Sequence, residues 1–453
     1  IRHYLIYGKF LTLPVMGTWY ARQQLGIAWI WHDIMYSWTT LWGRFAYGQV
    51  PLPQFVYWLL LLLFVISIGG TTRHLVTVLR NQNFSETRWS IWLVLSTTLF
   101  TYTVALAYFV ANNPTGANSR YIYPALSAFA ALFVYGISAW FAGWRRVAIN
   151  SMVVVMIGVA IYSISIFLPW TYAKPRLVKE LGPNTLSDIS REIYWGEGIA
   201  LTGTTISPQI VQPGEDVSLK ACWSAEDEMT TDFVFYAHLL DHRLKSFGQR
   251  DTYTGLGTFP TSQWKRGDRF CDTYLIPVKE VFSIPTVVDV AIGFYDYNSR
   301  NQLPAHTADD ISLEQVIVGK VKLIPKSASL INEPQHRTEA SFEQGIILSG
   351  YTWSATEILP GQSISVNTTW KSAGPLDGSF TIFAHLMDKN RQMITQDDGL
   401  PRDGDYPTTF WGVNETIEDE RVFTIPEGTT PGPSQLLLGF YRMEDRARLP
   451  REG

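Results

Sequence analysis

The sequence predicts an α-helical transmembrane region of four spans followed by two all-β antiparallel sandwich domains. Three observations lead there: charge is split unevenly along the chain, four long apolar runs fall early in it, and its later part repeats itself. At 453 residues the chain is long enough for about three domains.

The charge split comes first. Residues 1–174 carry eleven Lys and Arg against two acids, Asp33 and Glu86, a formal charge of 11 − 2 = +9. The remainder holds 25 basic and 38 acidic groups, 25 − 38 = −13, which returns the whole-chain value of −4. Eleven of the seventeen tryptophans lie in the first part. This profile excludes wholly disordered, collagenous and small disulfide-framework proteins. It also excludes a simple soluble enzyme and a basic face that tracks nucleic-acid phosphates.

A bilayer core needs about 20 mostly apolar residues per helix. Four stretches meet that need: about Pro53–Gly69, Trp89–Ala111, Tyr121–Phe141 and Val147–Trp170, none with an ionised side chain inside it. Arg73, Arg80 and Arg88 follow the first, and Arg145 and Arg146 follow the third, whereas Asn112–Arg120 carries only Arg120. Arginine-rich loops stay in the cytoplasm, so the chain after Trp170 is expected outside it. Residues 1–52 are dense in aromatics, Trp19, Trp29, Trp31, Trp38 and Trp42 among them. They read as an interfacial segment or as the end of an earlier span. The chain opens at Ile1 without Met or a charged-then-apolar leader, so it is expected to be the C-terminal portion of a longer protein.

After a linker at residues 173–193, short strands and turn residues replace the apolar runs. Gly198–Gly203 matches Gly345–Gly350, Pro213-Gly214 matches Pro360-Gly361, and Trp223 matches Trp370. Ala237-His238-Leu239 with Asp241 returns as Ala384-His385-Leu386 with Asp388, and Gln249 and Asp251 return as Gln396 and Asp398. Pro260-Thr261 with Trp264 returns as Pro407-Thr408 with Trp411, and Asp272 as Asp419, all at an offset of 147. A shared register this long is a tandem duplication. Strand-length segments between turn signals make each copy an expected β-sandwich, one over residues 194–325 and one over 342–453, joined by a linker at 326–341.

The chemistry-bearing residues are few. Cys222 and Cys271 are disulfide candidates on the oxidising side, the alternative being two buried thiols. Two cysteines alone do not make a metal site, and no cofactor is expected. His238 and His385 sit mid-strand with no nucleophile pattern beside them, as structural hydrogen-bonders do. Asp397, Asp398, Asp403 and Asp405 suit calcium by residue type, but loop aspartates commonly make turns, so no metal is assigned. Trp264 and Trp411 are either sugar-stacking platforms or plugs that close the ends of their own sandwiches. Asp33 is the one carboxylate expected on the outer face before Glu180. Arg120, at the outer mouth of the third span, is either a phosphate contact or an interfacial anchor.

Ser119-Arg120-Tyr121-Ile122-Tyr123-Pro124-Ala125-Leu126 resembles the Arg-Tyr-x-x-Pro-x-x-Pro segment that opens a late span in bacterial GT-C-superfamily glycosyltransferases of the protein-mannosyltransferase and aminoarabinose-transferase kind. Pro124 keeps the first proline of that pattern, and Ser127 stands at the second. Trp42-Gly43-Arg44-Phe45-Ala46-Tyr47-Gly48 with Pro51-Leu52-Pro53 resembles a segment before a span in related uncharacterised membrane proteins, and the repeats are similar to β domains appended to some of them. The resemblance implies a polyprenyl-phosphate sugar donor, a multi-pass place in the bacterial cytoplasmic (inner) membrane, and extracytoplasmic sandwiches that position an acceptor or envelope glycan. It carries one residue over, Arg120, as a donor-phosphate contact; the family's acidic residue falls upstream of Ile1, so the catalytic residues stay unknown. The expected partners are membrane lipids and that donor, with no nucleic acid. The competing reading is a non-catalytic scaffold or accessory subunit whose sandwiches dock other membrane subunits, and a third is a purely carbohydrate-binding anchor.

Overall fold

The computed structural model describes residues 27–45, 50–81, 86–112, 119–141, 143–178, 192–278, 282, 284–325, 333–374 and 376–452. The chain divides into a helical unit, Ile1–Ala173, and a β unit, Lys174–Gly453.

In the helical unit, α1 (Ile27–Trp42) is followed by a short antiparallel ribbon of β1 (Arg44–Phe45) and β2 (Val50–Pro51). Then come α2 (Gln54–Asn81), α3 (Glu86–Asn112), α4 (Leu126–Ser138) and α5 (Arg145–Tyr162). Among the described residues four segments, Gln54–Arg80, Trp89–Tyr108, Tyr121–Ser138 and Arg145–Thr171, are long and apolar enough to cross a membrane. Three of these differ from the apolar runs in an instructive way. The first helix does not stop at Gly69 but continues to Asn81, because Gly69 and Gly70 are packing positions there. A Cβ at Gly70 would collide with the Gly136 carbonyl oxygen, and one at Gly136 with that of Ser67. Ser67 Oγ donates to the Phe133 carbonyl at 2.9 Å across the same crossing. Small residues of this kind let two helix backbones approach closely. The third segment opens as a 3-10 turn, Ser119–Ala125, with Pro124 inside it, since proline has no N–H to give an α-helical ladder. The fourth passes into a π turn at Ser163–Phe167 just before Pro169, which accommodates the same missing donor.

Trp38 and Trp42 of α1 pack against Phe64 of α2 and against Phe129 and Phe133 of α4. The Tyr57 hydroxyl ties the entry of α2, accepting from the Leu52 N–H at 2.8 Å and donating to the Gly43 carbonyl at 2.7 Å.

The described residues of the β unit form four largely antiparallel sheets. The strands of the first repeat are β3 (Ile193–Trp195), β4 (Ile199–Ser207), β5 (Ile210–Val211), β6 (Asp216–Ala225), β7 (Phe233–Leu240) and β8 (Ser246–Thr252). They continue with β9 (Arg269–Pro277), β10 (Thr286–Asp296), β11 (Ala305–Thr307), β12 (Ser312–Leu313) and β13 (Val316–Leu323). They form one sheet of order β12-β11-β3-β4-β6-β9 and another of order β5-β13-β10-β7-β8. Trp195, Trp223, Phe235, Trp264, Phe270 and Phe294 fill one core between them. Edge-to-face contacts such as Trp223 to Phe294, 5.2 Å between centroids, are the favoured geometry for aromatic pairs. Cys222 and Cys271 face each other across β6 and β9 and form a disulfide.

The second repeat has β14 (His336–Phe342), β15 (Ile346–Trp353), β16 (Ser363–Ser372) and β17 (Phe380–Met387), then β18 (Met393–Gln396), β19 (Thr416–Thr424), β20 (Gln435–Arg442) and β21 (Arg451–Glu452). Its sheets run β19-β16-β15-β14-β21 and β18-β17-β20. Most of β14 falls in the segment that the sequence reads as a linker, and it pairs with β15 from His336 onward. Its residues His336 to Glu339 are exposed and polar, so no alternation of apolar residues marks it as a strand. Thr369 and Glu418 stand opposite each other where the first repeat has its disulfide.

The helix crossing gives a direct test. Gly136→Ala is expected to cost about 1–3 kcal/mol by overpacking. Gly158→Ala, where a Cβ meets nothing within 4 Å, is expected to gain about 0.5–1 kcal/mol by removing helical glycine. Thermal unfolding of the two purified variants reads the difference; equal effects would contradict the packing role.

Candidate functional site

The repeated residues form the same corner twice. The 3-10 turns Thr261–Gln263 and Thr408–Phe410 end at Trp264 and Trp411. Each threonine hydroxyl bridges two backbones: Thr261 donates to Thr231 O and accepts from Phe233 N, and Thr408 donates to Gly378 O and accepts from Phe380 N. The indole N–H groups donate to Phe259 O at 3.1 Å and to Tyr406 O at 3.0 Å. Both rings are buried, at 1% and 3% exposure, and offer no face to a sugar. Trp264 and Trp411 are plugs, so the stacking role considered for them is corrected: the ring that would cover a pyranose is already covered by its own core.

Asp272 and Asp419 hold the turn beside each plug. Asp272 Oδ2 accepts the Gly255 N–H at 2.7 Å, and Asp419 Oδ1 accepts the Arg402 N–H at 2.6 Å. Those turns place Gly255 and Leu256, and then Arg402 and Asp403, in the left-handed region at φ between 53° and 64°. Side-chain-bearing residues adopt that region only when their surroundings hold them there. Burial pushes the Asp272 carboxyl above its usual range, against the hydrogen bonds it accepts. In the second copy Arg421 grips Asp419 through two contacts, Nε to Oδ2 at 2.7 Å and Nη2 to Oδ1 at 2.9 Å, with both residues 1% exposed. Tyr274 occupies the equivalent place beside Asp272.

His238 and His385 stand 2.9 Å and 3.2 Å from Asp251 and Asp398. These pairs tie the hairpins β7–β8 and β17–β18. Neither ring forms a hydrogen bond to a serine or cysteine among the described residues. The four loop aspartates are each engaged elsewhere: Asp397 with the Val422 N–H, Asp398 with the Ala384 N–H, Asp403 with Arg243 and Asp405 with His242. Among the described residues no group of three or more His, Cys, Asp or Glu side chains is arranged to hold a metal ion.

Within the β unit the two repeats meet in a polar joint that the sequence reading missed. The Val287 N–H donates to Asp405 O at 2.9 Å, and the Arg402 guanidinium donates to Pro285 O. Lys322, 8% exposed, reaches across to Glu415 Oε2 at 2.8 Å and Phe410 O at 2.9 Å. Tyr406 donates to the other oxygen of Glu415 at 2.7 Å; burial and that bond push its phenol well above the usual range. His242 and Asp405 approach to 2.6 Å. A cleft of about 460 Å³ opens beside this joint, lined by Arg243 and Ile284 from one repeat and by Asp397, Asp403, Glu418 and Glu420 from the other. Lys322 lies past the stretch that the repeat aligns, which ends at Pro304 and Pro450, so no repeat signal marks it.

Asp33 and Arg120 contribute helical backbone to the described residues, and their side chains lie outside them. Ser119, next to Arg120, is fixed to α1: its N–H donates to Thr40 Oγ1 at 3.0 Å and its hydroxyl to Ser37 O.

Removing one partner of a buried ion pair strands the other charge and costs about 3–5 kcal/mol. Arg421→Ala is expected to destabilise the β unit by that amount. Arg421→Tyr, which copies the first repeat, is expected to cost clearly less. Denaturant midpoints of the two purified variants separate these outcomes; equal losses would mean that the phenol does not substitute for the guanidinium. Compared with known proteins, the chain matches no family model and no curated protein.

Proposed function

We propose that the chain spans a bacterial cytoplasmic membrane four times and is glycosyltransferase-like. Its β repeats form two sandwiches on the extracytoplasmic side and position an acceptor, while the helices complete a site for a polyprenyl-phosphate sugar. Four long apolar helices support insertion, and arginines clustered after the first and third of them support the orientation. A disulfide in the β unit suits an oxidising compartment.

The observation that carries the transferase reading is the Ser119–Ala125 turn. The motif segment is a 3-10 turn rather than the start of a regular helix, and buried hydrogen bonds from Ser119 to α1 hold it in place. A fixed turn at a span mouth is where a donor phosphate would meet Arg120. A guanidinium–phosphate contact is short, charge-assisted and directional.

A second reading, a scaffold that docks other membrane subunits, is favoured by the polar joint. Lys322, Glu415 and Tyr406 lock the repeats together, which suits a rigid arm.

Membranes carrying the intact protein are expected to transfer sugar from a radiolabelled polyprenyl-phosphate donor. Arg120→Gln is expected to slow that transfer about 10- to 100-fold, as loss of a hydrogen bond to a charged group does, without lowering the melting temperature. No transfer by the wild-type protein would leave the scaffold reading standing.

A further inference from the structure

The helical unit contains a cavity of about 940 Å³ between α2, α3 and α4, within the roughly 300–1,000 Å³ of small-molecule sites. Its walls are of two kinds. Leu95 of α3, three residues past Trp92, and Ala131 and Leu132 of α4, four and three residues before Tyr135, make an apolar trough on the side away from the arginine-rich helix ends. At one end stands a polar cluster built around Tyr135. The Arg145 guanidinium lies over the Tyr135 ring, 5.3 Å from its centroid. His74 and Trp92 meet the same ring edge-on at 5.3 Å and 4.7 Å. A cation held over an aromatic face is placed before any ligand arrives.

The charge around this end is one-sided. Between residues 53 and 173 the sequence has six arginines and a single acid, Glu86. Five of the six, Arg73, Arg80, Arg88, Arg145 and Arg146, belong to the end of the helices where the cavity's polar cluster sits. His74 lies six residues before Arg80, where the first apolar segment ends, so it is about 9 Å deep along the helix at 1.5 Å per residue. That is the depth at which a headgroup gives way to its acyl chains.

We propose that this cavity binds an anionic phospholipid of the cytoplasmic leaflet. Arg145 and His74 take its phosphate, and an acyl chain lies in the trough of Leu95, Ala131 and Leu132. Basic pockets between spans on the cytoplasmic side recognise such headgroups. The site is separate from Arg120, which lies at the opposite end of the third segment. The inference rests on the membrane insertion proposed above and is independent of glycosyl transfer.

The test uses the intact protein in nanodiscs of mixed phosphatidylglycerol and phosphatidylcholine, with the lipid retained after detergent extraction measured by mass spectrometry. Phosphatidylglycerol is expected to be enriched over phosphatidylcholine by about fivefold, the effect of one arginine on one anionic headgroup. Arg145→Gln is expected to abolish the enrichment. Ala131→Trp, which fills the cavity from an exposed position that lines it, is expected to do the same without touching the Gly70–Gly136 crossing. Arg146→Gln, outside the lining, is expected to leave the enrichment intact. Equal retention of both lipids would overturn the proposal, and so would an equal loss with Arg146→Gln, which would mean diffuse surface charge. Full displacement by soluble glycerol phosphate would also overturn it, as would a cavity filled by another helix that no lipid enters. Failure of insertion reads differently, as protein that does not enter nanodiscs at all.

Discussion

The constraint on which the helical unit depends is the apolar surface that it leaves uncovered. On α2, Phe55, Trp58, Leu62, Val65 and Ile68 are all more than half exposed and repeat at helical spacing. On α3, Ile91, Leu93, Val94 and Phe100 do the same, and on α5 so do Val147, Val154, Ile157 and Ile161. Soluble monomers rarely expose apolar patches beyond a few hundred Å². Lipid is the solvent that suits such a surface, and lipid then requires that every backbone polar group be satisfied within its own helix. Pro124 and Pro169 each remove a donor, and the chain answers with a 3-10 turn at one and a π turn at the other.

The β unit obeys a different constraint, that of duplicated cores. Each copy spends its tryptophan, threonine and turn-holding aspartate on the same corner, and what differs between copies has been fitted locally. A disulfide in one is Thr369 and Glu418 in the other. A tyrosine beside Asp272 is an arginine beside Asp419. The second copy pays for that arginine with full burial of an ion pair, which two direct contacts and the Arg402 N–H offset. Between the copies, Lys322 supplies the buried cation of the joint.

Much of this architecture is legible in the residues, and the illegible parts share one cause. Long apolar runs and the 147-residue offset are visible because hydrophobic pattern and identity both survive in one dimension. β14 is not, since its His336 to Glu339 segment earns its place by backbone pairing rather than by burying alternate side chains. The continuation of α2 past Gly69 is hidden because two glycines read as a break until the opposing Gly136 is seen. Trp264 and Trp411 could be read as platforms or plugs, and only their burial decides between the two. Arg145 reads as a topology marker in sequence, and its seat over Tyr135 needs three dimensions.

The proposed topology has the apolar helices spanning a membrane with the β unit outside the cytoplasm. Labelling of single cysteines with a membrane-impermeant maleimide in intact cells tests it most directly. The native cysteines are silent because they are joined to each other. One probe is Ser299→Cys, in an exposed turn of the β unit, and the other is Gly143→Cys, in the exposed turn between α4 and α5. Ser299→Cys is expected to react in intact cells and Gly143→Cys only after the membrane is opened. Reaction of both positions in intact cells, or of Gly143→Cys alone, would contradict that topology.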